Sequence, residues 1–76
     1  MRSTIRQWNP SLGTYGDALL VLYAPDTGIP EMDERELCDA TTHVAPLMGK
    51  AVAVFYDDDT TPTHHYNGAW QSRRVA

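Results

Sequence analysis

A chain of 76 residues is one domain, and at that size folding buries only about 60–65 % of the surface of the unfolded chain, which leaves room for one helix against one sheet but not for a deep substrate cavity. Apolar residues are 42 % and charged residues 21 % of the chain, average globular usage that excludes disorder as the default. The net charge of −4 is unevenly placed: all ten acids lie between Asp17 and Asp59 against Arg35 and Lys50 alone, while residues 1–16 and 60–76 each carry two arginines and no acid.

That polarity argues against direct nucleic-acid binding, which needs a basic patch. It suits an acidic surface that meets a basic partner, and it also suits simple solubility. The single cysteine, Cys38, excludes an internal disulfide and a multi-cysteine zinc site. A small fold without staples fits a reducing compartment. The opening MRSTIRQWNPSLG lacks the apolar core of a signal peptide, and the longest apolar run is far too short to cross a bilayer. The expectation is a cytoplasmic protein with no membrane contact.

In chain order, residues 3–8 (STIRQW) form a short β-prone stretch stopped by Asn9-Pro10. Residues 11–17 (SLGTYGD) read as a loop. Residues 18–24 (ALLVLYA) are a continuous apolar run of strand length, the pattern of a strand covered on both faces. PDTGIP then breaks the chain.

A helix follows. Asp33 is the expected N-cap, with Glu36 at the third helical position and a Met32–Leu37 hydrophobic staple. Glu34 and Glu36 complement the helix dipole. Leu37, Ala40, Thr41 and Val44 supply a buried stripe at 3.6-residue spacing, and Pro46 ends the regular helix, with a last irregular turn to Gly49.

Residues 50–57 (KAVAVFYD) are apolar on both alternating faces and read as a central strand. Asn67-Gly68 predicts a two-residue hairpin between THHY and AWQSRRV. In that register His65 lies opposite Trp70 and His64 opposite Gln71, so Tyr66 and His64 make an exposed patch. The predicted fold is α+β: one helix on a largely antiparallel sheet of four to five strands, in the order β-β-α-β-β-β.

No motif specifies chemistry. Asp57, Asp58 and Asp59 at a strand end, with Asp26 at the end of the other strong strand, have the residue types of a magnesium site. A solvated turn, where Asp is favoured by its backbone hydrogen bonds, is the preferred account of them. His64 and His65 are adjacent on a strand and face opposite ways, so they do not readily share an ion. Cys38 and His43 are five residues apart on a helix, out of the contact that a nucleophile pair needs, and Cys38 reads as a partly buried filler.

The expected function is therefore a small, acidic, non-enzymatic protein-binding module without a cofactor. It would act as an inhibitor or adaptor that blocks a surface of a larger, nucleic-acid-handling protein, of the kind phages and mobile elements carry. The predicted partner-binding residues are Glu31, Glu34, Asp39, Asp57, Asp58, Asp59, His64 and Tyr66. Two alternatives stand beside this: a homo-oligomeric assembly subunit, with a second copy as partner, and a small metal-dependent hydrolase using Asp26, Asp57, Asp58 and a histidine.

Overall fold

The structure, a computed structural model, describes residues 1–72. Five strands and one α-helix follow the predicted order: β1 (Arg2–Asn9), β2 (Thr14–Tyr23), α1 (Pro30–Val44), a 3₁₀ turn (Ala45–Met48), β3 (Val52–Tyr56), β4 (His64–Tyr66) and β5 (Trp70–Ser72). The sheet order is β2-β1-β3-β4-β5, and every neighbouring pair is antiparallel. The arginine pair Arg73-Arg74 and the rest of the predicted last strand lie outside the described residues.

β3 is the middle strand, and Val52, Ala53, Val54 and Phe55 are all buried. Its two apolar faces are thus both used, as its composition requires. β2 carries an equally apolar run but is an edge strand, with Val21 and Tyr23 exposed. Coverage on both faces was the expectation there, and it fails because apolar composition alone does not distinguish a central strand from an edge. β2 also begins at Thr14, so only residues 10–13 form the turn. The stretch expected as loop, from Thr14 onward, pairs with β1 through two register irregularities.

Alternation divides the sheet into two faces. One carries Ser3, Ile5, Leu20, Leu22, Val52, Val54, Tyr56, His64, Tyr66 and Trp70, and α1 covers it. Ile5, Ala45, Val52 and Val54 form its buried centre. The helix is tied down by one polar chain inside this layer. Thr41 Oγ1 donates to the Leu37 carbonyl at 2.7 Å and accepts from Ser3 Oγ of β1 at 2.7 Å, both bonds buried. Both hydroxyls are satisfied, as groups removed from water must be.

The helix begins earlier than its cap signal indicates. Pro30 is the first helical residue and Ile29 the cap position, with no side-chain cap. Proline is well suited there because its missing N–H has no intrahelical acceptor. Asp33 lies inside the helix, and its carboxylate accepts from the Thr27 backbone N–H and hydroxyl, closing the preceding turn. Met32 is exposed, so no staple with Leu37 forms. Of the predicted stripe, Leu37 and Thr41 are buried and Val44 is half-buried, but Ala40 is exposed. The layer closes through Ala45 instead. Ala45 keeps αR geometry even before Pro46, and the chain tightens into the 3₁₀ turn that Gly49 ends at φ 68°.

Candidate functional site

β2 and β3 both run antiparallel to β1, which lies between them, so they are parallel to each other. Their C-terminal ends, with Asp26 and Asp57, therefore reach the same end of the sheet, where β1 starts. The first turn of α1 lies over this end. Asp26, Asp33 and Glu34 line one hollow of ≈ 390 Å³ with Met1 and Pro30. Beside it, Asp57 and Asp58 engage Arg2. The fold thus gathers acids from three chain segments at one pole.

The three aspartates have different tasks there. Asp57 takes φ 51°, a left-handed conformation that Asp tolerates better than most residues. Its N–H donates to the Arg2 carbonyl at 2.9 Å and its Oδ1 accepts from the Arg2 N–H at 3.0 Å. Asp59 N–H donates to the Tyr56 carbonyl at 3.0 Å, which closes the turn. Asp58 projects into water at 94 % exposure and accepts from the Arg2 guanidinium at 2.7 Å. Its hydrogen bond and charge raise the Arg2 pKa above the ordinary guanidinium value. On the helix, Glu31, Arg35 and Asp39 are spaced i, i+4, i+8 and exposed, so one cation sits within the acidic row. Glu34 is exposed but flanks the sheet, where its charge reaches the Tyr56 phenol.

Among the described residues no group of three or more His, Cys, Asp or Glu side chains is placed to hold a metal. Asp57 and Asp58 already bind Arg2.

The predicted Tyr66–His64 patch needs correction. β4 and β5 pair Tyr66 with Trp70, His65 with Gln71 and His64 with Ser72, one residue away from the two-residue hairpin register. The connection is Asn67, Gly68 and Ala69, with Gly68 at φ 77° and the Asn67 N–H donating to the Ala69 carbonyl at 3.2 Å. A one-residue slip exchanges the faces of a whole strand. Here it moves Trp70 from the side of His65 to the side of Tyr66, so both rings, 5.1 Å apart, pack on the helix-side core. Burying Trp70 against that core outweighs the preference of Asn-Gly for a two-residue turn. His64 and Tyr66 are consequently half-buried on the helix side of the sheet and not an exposed patch. His64 stands edge-on to Tyr56 and Trp70, and its Nδ1 is buried without a partner among the described residues. Desolvation, then the charge of His65, pushes its pKa below the ordinary value. Burial likewise raises the Tyr56 phenol, with Cys38 and Glu34 adding to it.

The aromatic surface lies on the opposite face, the one no helix covers. Trp8 and His65 stack at 4.4 Å between centroids. Tyr15 reaches across from β2, edge-on to Phe55 at 5.2 Å, with its hydroxyl 3.0 Å from His65 Nε2. Arg6 lies 5.9 Å from the Phe55 ring centroid and donates through Nε to the Gly16 carbonyl. A groove of ≈ 280 Å³ between Thr4, Arg6, Tyr15 and Phe55 ends at Asp59 and Thr60. Acidic pole and aromatic face therefore meet at Asp59.

Arg6, Trp8, Tyr15 and Phe55 were not among the predicted contact residues. The alternation of Thr4, Arg6 and Trp8 along β1 places them on one face, but reading residues 11–17 as loop removed Tyr15 from the sheet. His64 and His65 face opposite ways, as adjacent strand residues must. No family model, no curated protein and no solved structure matches the chain.

Proposed function

We propose that the chain is a non-enzymatic protein-binding module whose acidic pole docks on a basic surface of a larger protein, as an inhibitor or adaptor does. The observation that carries this is the convergence of Asp26, Asp33 and Glu34 with Asp57 and Asp58 around the start of β1. Arg2 is a weak counterweight, because its ion pair with Asp58 is exposed and such pairs contribute little in water. The adjoining groove gives the pole an apolar margin. Tyr15 at its rim is 41 % exposed, and exposed tyrosines commonly anchor interfaces. The aromatic component thus moves from Tyr66 and His64 to Tyr15, which stands over the buried Phe55.

Binding of this kind is steered by charge and weakens as salt rises. The test is capture of partners from lysate of the source organism by the wild type and by Glu31→Lys/Glu34→Lys/Asp58→Lys/Asp59→Lys. The expected result is a partner with a basic surface, released by salt and lost by the variant. Retention of every partner by the charge-reversed chain refutes the acidic pole as the docking surface.

A further inference from the structure

We infer that the free edge of β2 is a self-association site, at which a second copy of this chain adds its own β2 about a twofold axis through Leu22. This goes beyond the acidic-pole function and uses a different surface.

β1 occupies one side of β2, and among the described residues no strand pairs with the other side. The Ala24 N–H donates to the Met1 carbonyl at 3.0 Å. Backbone groups alternate in direction along a strand, so Leu22 also faces β1, while Val21 and Tyr23 direct their N–H and C=O groups outward. Their side chains, on the uncovered face, are 37 % and 73 % exposed.

Edges are normally protected by proline, lysine or other charges. Residues 18–24 hold none of these. The bulged part of β2 lies before Leu20, where β1 pairs Ile5 with Leu20 but Arg6 with Ala18. The stretch from Leu20 to Tyr23 is regular and free.

A twofold at Leu22 places Val21 opposite Tyr23 of the second copy, and Tyr23 opposite its Val21. Each outward N–H then meets an outward C=O, and no outward group of the two residues is left over. The facing side chains form β-branched–aromatic pairs, a favourable cross-strand combination. Leu22 meets Leu22 on the helix side, at a non-hydrogen-bonded position where side chains approach closest. The edge is thus complementary to itself in hydrogen bonding and in apolar contact.

Charge also favours a second copy at this place. Two chains of net charge −4 repel over most of their surface. Asp17 and Asp26 bracket an uncharged stretch. Both acids lie outside the regular Leu20–Tyr23 stretch that pairs.

The test is sedimentation and light scattering of the full chain from micromolar to millimolar concentration. The wild type is expected to show a concentration-dependent dimer. Val21→Pro removes one outward N–H without touching the β1 ladder, and Tyr23→Lys places a charge on the edge. Both are expected to be monomeric where the wild type is dimeric, and either suffices if the other fails to fold. In a Cys38→Ser background, Leu22→Cys is expected to cross-link under mild oxidation and Leu20→Cys is not. A wild type that stays monomeric overturns the inference, as does a dimer that survives both edge variants. Equal cross-linking at positions 20 and 22 overturns the register. A monomer that takes up a foreign strand at this edge, lost in Val21→Pro, overturns the second copy as occupant. The four-fold acidic reversal is expected to leave the dimer intact, which separates this site from the acidic pole.

Discussion

On the helix side of the sheet, Ile5, Val52 and Val54 are fully buried in one cluster with Ala45. On the other side, Ala53 is also fully buried and Phe55 is only 7 % exposed, although among the described residues no helix lies above them. Their cover is a ring of side chains: Tyr15, Trp8, His65 and Arg6. One face is closed by secondary structure and the other by aromatics reaching across the strands. Truncating one side chain beneath the helix opens a cavity in a packed layer, whereas truncating one on the other face removes only the cover that side chain gives.

The comparison breaks first at the core. Ile5→Ala leaves a cavity under a fixed helix and is expected to cost about 2–5 kcal/mol. The check is the denaturant midpoint at unchanged slope. A loss no larger than that of an exposed-face variant such as Tyr15→Phe sinks the distinction between the two faces.

Next comes the polar chain within the covered layer. Thr41→Val keeps the shape but leaves Ser3 Oγ buried without its partner, an expected loss of about 1–3 kcal/mol. Ser3→Ala/Thr41→Val is expected to recover part of it, since a pair removed together leaves no orphan. Failure of the double variant to improve on the single one argues that the bond is incidental to the packing.

The covered layer was also the part most open to reading from sequence. The doubly apolar alternation of KAVAVFYD marked β3 as a strand buried on both faces, although the equally apolar run of β2 stands at an edge. The element order followed from breakers and periodicity. Four things were hidden, each for a physical reason. The cap signal of Asp33 was real chemistry in another place: the carboxylate closes the Thr27 turn, and Pro30 starts the helix. Asn67-Gly68 promised a two-residue turn, but burial of Trp70 set the register. Tyr15 looked like loop because two glycines flank it, at 13 and 16, yet β1 pairs through that stretch by irregular register. Gathering the acids required the strand order, which no local pattern encodes.

A smaller effect belongs to the exposed face. Tyr15→Phe removes the hydroxyl that meets His65 Nε2 and is expected to cost about 1 kcal/mol, less if water replaces it. Tyr15→Ala also removes the edge-on pair with Phe55, adding about 0.5–1.5 kcal/mol. Equal losses for the two variants imply that the ring covers nothing.

The smallest effect comes from pH, and both faces contribute to it. Burial lowers the pKa of His64 on the covered face and of His65 on the exposed face below the ordinary 6.5. A basic group with a depressed folded pKa is held neutral by the fold. Above its ordinary pKa both folded and unfolded chains are neutral there, and stability is at its full value. As pH falls through that value, the unfolded chain takes up protons that the folded chain refuses, so stability declines. The decline stops once pH has passed below the folded pKa. The denaturant midpoint, followed from about pH 8 to about pH 5, is therefore expected to drop toward acid. His65→Gln removes the contribution of the exposed face alone. A His65→Gln slope as steep as that of the wild type assigns the whole effect to His64, whose buried Nδ1 has no partner among the described residues, and leaves the exposed face without a part in it.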